Sequence, residues 1–250
     1  MPPAAGIRYD GADEAALRDR LALPRVELLE HVSSTMDVAH DLAAAGAPAG
    51  TLVLADRQTA GRGRAGRRWA SASGAGIWLT LVERPSDLAA LDVLSLRLGL
   101  HAARALDPWA GEPLRLKWPN DLYLAAGKLG GILVETRWRG ARPDWVAVGI
   151  GINVRPPDDL PAAALRPGAA RGAVLGALVP ALRAAAAARG PLGAAELAAW
   201  NARDLALGRP CREPASGVVA GIDARGALIV HTAAGDVACR SGSLVFQEDA

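Results

Sequence analysis

Cysteine is scarce in this chain: Cys211 and Cys239 are the only two, far from any CxxC spacing. That excludes a disulfide framework and a zinc ribbon, and a reducing cytoplasm is the simplest setting. The four histidines, at 31, 40, 101 and 231, are scattered and form no metal-ligand pattern. Excess charge is also missing. The net charge is +2 over 250 residues, so the chain is not built globally for polyanions, and its basicity must act locally. No run of 18 apolar residues is free of charge, which excludes an apolar membrane-spanning helix, and the start Met-Pro-Pro-Ala-Ala-Gly carries no signal-peptide pattern. Lysine is rare beside arginine, a bias that follows GC-rich codon usage and says little about function. What is present is apolar: hydrophobic residues make up 51%, much of it alanine, enough for one large domain with an appendage or for two modest domains.

Periodicity predicts helices over 13–23, 34–45, 87–106, 171–189 and 194–207, with Ser34 opening the second and Asp37 three residues on completing a capping signal. Strands are predicted over 26–32, 51–55, 76–83, 114–118, 121–124, 130–137 and 145–153, closely spaced as in a mixed sheet with antiparallel neighbours. Beyond Gly208 the pattern changes to about five short strands separated by glycine-containing turns, which fits a small barrel. The expected division is therefore 1–207 and 208–250.

Three segments carry chemistry. The first is Gln58-Thr-Ala-Gly-Arg-Gly-Arg-Ala-Gly-Arg-Arg-Trp69. From Arg57 to Arg68 it holds five arginines, three glycines and no acid. It is too charged for core, and its glycines let backbone amides approach an oxyanion. Paired guanidinium hydrogen bonds to such an anion contribute roughly 1.5–3 kcal/mol each. A solvated basic loop explains the segment equally well on its own. The second is Lys117-Trp-Pro-Asn-Asp121 followed by Lys128-Leu-Gly-Gly131. A hairpin there returns Lys128 beside Asp121, although a surface ion pair of roughly 0–1 kcal/mol would look the same. The third is Gly149-Ile-Gly-Ile-Asn153, a strand whose alternate glycines bare one face to a ligand or another backbone. It is not GxGxxG. Ser34-Thr35 at a helix start is first a cap, and also offers hydroxyls and free N–H groups to a polar ligand.

Taken in order, Ser34-Thr35-Met36, the 58–69 segment, Lys117–Asp121, Lys128-Leu-Gly-Gly-Ile-Leu-Val-Glu135 and Gly149–Asn153 resemble the biotin–protein ligases, closely over about 25–155 and weakly through Val219–Leu228. The resemblance implies an α+β fold: a mixed, largely antiparallel sheet flanked by helices, of the class II synthetase type, with a small C-terminal SH3-like β-barrel. It implies ATP and biotin as substrates with Mg²⁺, and biotinyl-5′-AMP as the intermediate. The acceptor would be a lysine of a biotin carboxyl carrier domain. By motif position, Ser34, Thr35, Met36 and Gln58 would hold biotin, its ureido ring falling to Ser34, Thr35 and Gln58. Arg62, Gly63 and Arg64 would gather biotin and phosphate. Lys128 would lie at the carboxylate and α-phosphate with the Gly131 backbone nearby. Gly61, Arg67, Trp69, Asn120 and Asn153 would serve the adenylate, Trp69 by stacking. The catalytic set implied is Lys128, Arg62, Arg64 and Asp121. Whether Asp121 meets Mg²⁺ or orients the incoming lysine stays open, and no metal ligand is assigned.

About thirty residues precede Ser34, too few for the DNA-binding domain of some relatives, so an enzyme without nucleic-acid control is expected, cytoplasmic, off the membrane, and monomeric or weakly dimeric. Ser241-Gly-Ser-Leu244 lacks the acidic residue often found after that glycine. Two rivals remain. A lipoate–protein ligase shares the acyl-adenylate chemistry, but the Gly-Arg-Gly-Arg loop and the C-terminal strands argue against it. A nucleic-acid binder would use the arginine loop, but aromatic residues are not interleaved there apart from Trp69.

Overall fold

A computed structural model describes residues 7–85, 87–157 and 161–248. Seven strands form one sheet in the order β1-β2-β3-β7-β6-β5-β4: β1 Arg25–Val32, β2 Thr51–Gln58, β3 Gly76–Glu83, β4 Arg115–Lys117, β5 Asp121–Leu124, β6 Gly127–Arg139 and β7 Arg142–Asn153. Only β1 and β2 run parallel, and α2 (Thr35–Ala44) supplies the crossover that parallel pairing requires. Every other pairing in this sheet is antiparallel.

Strand β3 is buried on both faces, with all eight of its positions buried. One face packs on α1 (Glu14–Leu21), α4 (Leu94–Ala110) and α5 (Arg171–Ala187) through Leu17, Leu98, Leu178 and their neighbours. The other face is covered only in part, where α2 lays Ala39 and Ala43 on Val53 and Val82. The uncovered remainder of that face is the floor of the site.

Strands β2, β6 and β7 run about three residues beyond the periodic reading, and the larger departures are in the helices. The long helix expected over 87–106 is two, α3 (Leu88–Asp92) capped by Asp87 and α4, with wholly buried Val93 between them. It also runs on through Pro108, which falls in the last turn where its missing N–H removes a single bond, and stops at Gly111 with φ 82°. Helix α6 spans Ala194–Asn201 and not 194–207. There the backbone of Arg203 and Leu205 bonds to Leu116 of edge strand β4, so sheet-edge pairing overrides alanine-rich helix propensity.

Strands β8 (Pro210–Glu213), β9 (Gly217–Ile222), β10 (Leu228–Thr232), β11 (Gly235–Cys239) and β12 (Val245–Phe246) form a second, antiparallel sheet in the order β11-β10-β9-β8-β12. It is joined to the first unit by the indole of Trp118, which donates to Gly226 O at 3.1 Å, and by Gly226 itself, where an added Cβ would lie 2.9 Å from Leu96. Among the described residues no helix is long and apolar enough to cross a membrane.

Candidate active site

The floor is set by register. Thr80, Gly149 and Leu133 lie in one cross-strand row of β3, β7 and β6, and Trp78, Gly151, Gly131 and Asp121 lie in the next. Glycine at 149 and 151 leaves space above the sheet, and side chains enter it. A Cβ at Gly149 would sit 2.7 Å from Met36 Cε, and one at Gly151 would sit 2.4 Å from Trp69 Nε1. The bare strand face is thus met by two side chains, one from α2 and one from the arginine loop.

That loop forms the roof. After β2 it doubles back, with Trp69 N bonded to Gly61 O at 2.9 Å and Gly63 N to Arg67 O at 2.8 Å. Gly61 is required here, because a Cβ would lie 2.5 Å from Trp69 O. Between floor and roof lies a cavity of about 360 Å³, a size that suits a small organic ligand. Its lining includes Ser34, Thr35, Met36, Gln58, Arg62, Gly63, Arg64, Arg67, Trp69, Asn120, Asp121, Lys128, Gly131 and Asn153. Of the residues given a binding or catalytic role from sequence, Gly61 alone lies outside this lining; it borders a recess behind the loop.

The polar groups are organised in two ends. At one, Gln58 Oε1 accepts from the Thr35 backbone N–H at 2.9 Å and from Thr35 Oγ1 at 3.1 Å, while Gln58 Nε2 donates to Ser71 Oγ at 2.9 Å. Thr35 Oγ1 is 2.9 Å from Thr80 Oγ1, and Ser34 Oγ caps α2 through Met36 N at 3.3 Å. At the other end Lys128 Nζ is 2.7 Å from Asp121 Oδ1 and 5.2 Å from the centroid of the Trp69 ring. The hairpin return is therefore real, achieved through a bulge between Leu122 and Tyr123. Arg64 Nη1 donates to Asn120 Oδ1 at 3.3 Å, and burial pushes its guanidinium below the ordinary arginine value, Arg67 adding to the effect and Asp121 opposing it. Asn120 Nδ2 donates to Ile132 O at 2.6 Å, and Asn153 Nδ2 to Ala163 O at 3.0 Å, so both amides brace the cavity wall. The indole N–H of Trp69 is buried with no hydrogen-bond partner among the described residues.

A family model described as the biotin/lipoate A/B protein ligase family matches residues 28–153. A relative from Paracoccus denitrificans, a biotin–[acetyl-CoA-carboxylase] ligase, is 38% identical over 208 residues, which cover 73% of this chain and 85% of that one. The chain belongs to the biotin/lipoate A/B protein ligase family. The bifunctional ligase/repressor BirA of Bacillus spizizenii is 44% identical over 132 residues, 52% of this chain, and the match spans 41% of that protein's length. The structure of the biotin protein ligase of Aquifex aeolicus with biotin and ATP superposes with a TM-score of 0.73 at 27% identity, covering 90% of this chain and 99% of that one. The mixed sheet flanked by helices and the second, C-terminal antiparallel sheet match the fold of that solved biotin protein ligase.

Several contacts of this family member were not legible from its motifs. Asp37, taken as a capping residue, instead bonds Arg62 Nη1 at 2.6 Å, and Glu135 takes Arg62 Nη2 at 2.5 Å. The second sheet also reaches the roof: Arg64 Nη2 bonds Gly242 O at 3.4 Å, and Arg67 Nη2 bonds Ser243 Oγ at 3.2 Å. The glycine-serine composition of 241–243 hinted at a turn, and nothing in it hinted at this contact. Trp118, inside the Lys117–Asp121 motif, is buried against the second sheet and takes no part in the lining. Among the described residues no group of three or more His, Cys, Asp or Glu side chains is arranged to hold a metal ion.

Proposed function

We propose that this protein activates biotin with Mg·ATP to biotinyl-5′-AMP and transfers the biotinyl group to a lysine of a biotin carboxyl carrier domain, in the cytoplasm. The observation that carries this reading is one cavity lined at one end by an amide–hydroxyl network, Thr35, Gln58 and Thr80, and at the other by Lys128 and Arg64. A neutral ring with donors and acceptors suits the first end, and colliding anions need the second.

In the first step a carboxylate oxygen of biotin attacks the α-phosphorus of ATP, an O–P bond forms, and pyrophosphate leaves. Two anions meet, so fixed positive charge must wait where they meet, and preorganised donors at such a point lower the barrier by about 2.7–4 kcal/mol each. Lys128, oriented by Asp121, and Arg64, oriented by Asn120, fill that role. In the second step the acceptor amine attacks the acyl carbonyl, AMP leaves, and the amine loses a proton. No side-chain nucleophile is required, in keeping with a lining that has no cysteine or histidine among the described residues. The roof loop limits access of water to the anhydride. Mg²⁺ enters as part of the ATP substrate, held chiefly by phosphate oxygens and water.

On this reading 1–207 forms the adenylate-binding unit, and 208–250 is a small SH3-like unit that touches the roof. Incubation with ATP, Mg²⁺, biotin and a carrier domain yields streptavidin-reactive carrier. Pyrophosphate exchange that depends on lipoate and not on biotin would overturn the assignment. Nucleic-acid binding with steep salt dependence and no ATP turnover would replace it with the binding-protein reading.

A further inference from the structure

Arg62 does not spread its fork into the cavity. Its two terminal nitrogens are taken by Asp37 at 2.6 Å and Glu135 at 2.5 Å. The other carboxylate oxygen of Glu135 lies 2.9 Å from His40 Nε2, and His40 Nδ1 lies 2.9 Å from Trp145 Nε1. An indole N–H only donates, so His40 Nδ1 is the acceptor, and the proton of the neutral ring sits on Nε2, facing Glu135. The result is a directed chain: Trp145 donates to His40, His40 to Glu135, and Arg62 donates to both Glu135 and Asp37. Its members come from three walls of the site, Asp37 and His40 from α2, Glu135 from β6 and Trp145 from β7, and they meet the roof at Arg62. The cavity lining contains Arg62 but not Asp37, Glu135 or His40, and Glu135 borders the recess behind the loop together with Arg62.

We propose that Arg62 is a clasp, and that Glu135, fixed by His40, and to a lesser degree Asp37 are positioning residues that hold the roof loop shut over the acyl-adenylate and so govern how long that reactive intermediate is retained. The inference rests on the proposed function for what is retained, and not for the clasp itself. Burial ranks the partners. The Asp37 side chain is 50% exposed and Glu135 only 24%, with His40 behind it at 9%. An exposed ion pair contributes little, whereas one backed by a buried hydrogen bond is held in place. With both terminal nitrogens of Arg62 paired to carboxylates, the other cations of the lining are Arg64, Arg67, Arg68 and Lys128.

Two measurements test this. The first is amide hydrogen exchange of residues 59–69 in the ligand-free protein, which involves neither biotin nor ATP. Glu135→Gln and His40→Phe accelerate exchange about tenfold, Asp37→Asn by no more than about twofold, and His40→Gln, which keeps a donor toward Glu135, restores the slow rate. The second is release of preformed biotinyl-AMP, which becomes about tenfold faster in Glu135→Gln while kcat for pyrophosphate exchange at saturating substrates stays within about twofold. Unchanged loop exchange in Glu135→Gln overturns the clasp. Faster loop exchange with unchanged release overturns its role in retention. A wild-type protein that forms no biotinyl-AMP overturns the proposed function, and the loop measurement still judges the clasp.

Discussion

Replacing Lys128 by alanine separates catalysis from stability in this protein. In the folded chain its ammonium group meets Asp121 Oδ1 at 2.7 Å, and both side chains keep partial exposure, 31% and 21%. A pair so exposed contributes about 0–1 kcal/mol to folding, so Lys128→Ala leaves the thermal midpoint within a few degrees of wild type. The effect on chemistry is larger. Lys128 holds its ammonium 5.2 Å from the Trp69 ring centroid and lines the cavity together with Arg64, and under the proposed mechanism it is needed when charge builds between carboxylate and phosphate. Loss of one such donor raises the barrier by about 2.7–4 kcal/mol, a fall of roughly 10²–10³ in adenylate formation. Biotin-dependent exchange of labelled pyrophosphate into ATP reads that step alone. The loss belongs to kcat, with KM for biotin little changed, because the ring site we propose is at the other end. Exchange within about threefold of wild type would remove Lys128 from the mechanism.

Other perturbations follow from the same geometry. Gly151→Ala places a Cβ 2.4 Å from the Trp69 indole nitrogen, so the indole must leave its seat; stability falls by about 1–3 kcal/mol and KM for ATP rises. Gly149→Ala presses only on the flexible end of Met36, 2.7 Å away, and lowers stability by less than about 1 kcal/mol; equal thermal shifts for the two variants would refute the distinction. Gln58→Leu strips the acceptor from Thr35 and raises KM for biotin about tenfold or more with KM for ATP nearly unchanged, and parallel rises in both would place Gln58 elsewhere. Glu196 is the carboxylate partner of Arg97, which is 1% exposed. Hydrogen bonds from Arg97 hold the Glu196 carboxyl below its ordinary value, with burial opposing. The pair therefore stabilises above about pH 4.3, and that contribution is lost as pH falls through the folded-state value. Glu196→Ala lowers stability by about 3–5 kcal/mol at pH 7, and its deficit against wild type narrows in denaturant titrations run at progressively lower pH.

The sheet and its floor were largely legible because period-two burial and glycine placement are local signals. Gly149 and Gly151 announced that something must come close to β7. They could not announce that Trp69 and Met36 would do so, because those side chains arrive from a loop and a helix distant in sequence. Lys128 beside Asp121 was legible because a hairpin fixes its own register. Arg62 was not. Its charge pointed to an anion, and only the folded chain brings Asp37 and Glu135 to it. The same limit explains α6, which stops at Asn201 because the following residues pair with β4, a tertiary contact that no propensity encodes. The contact of Gly242 and Ser243 with Arg64 and Arg67 was hidden for that reason too.

The most direct test is a crystal structure of the protein with a non-hydrolysable analogue of biotinyl-5′-AMP. The account predicts the ring beside Thr35 and Gln58, and the phosphate surrogate within hydrogen-bond reach of Lys128 and Arg64. An analogue seated away from those four residues would contradict it.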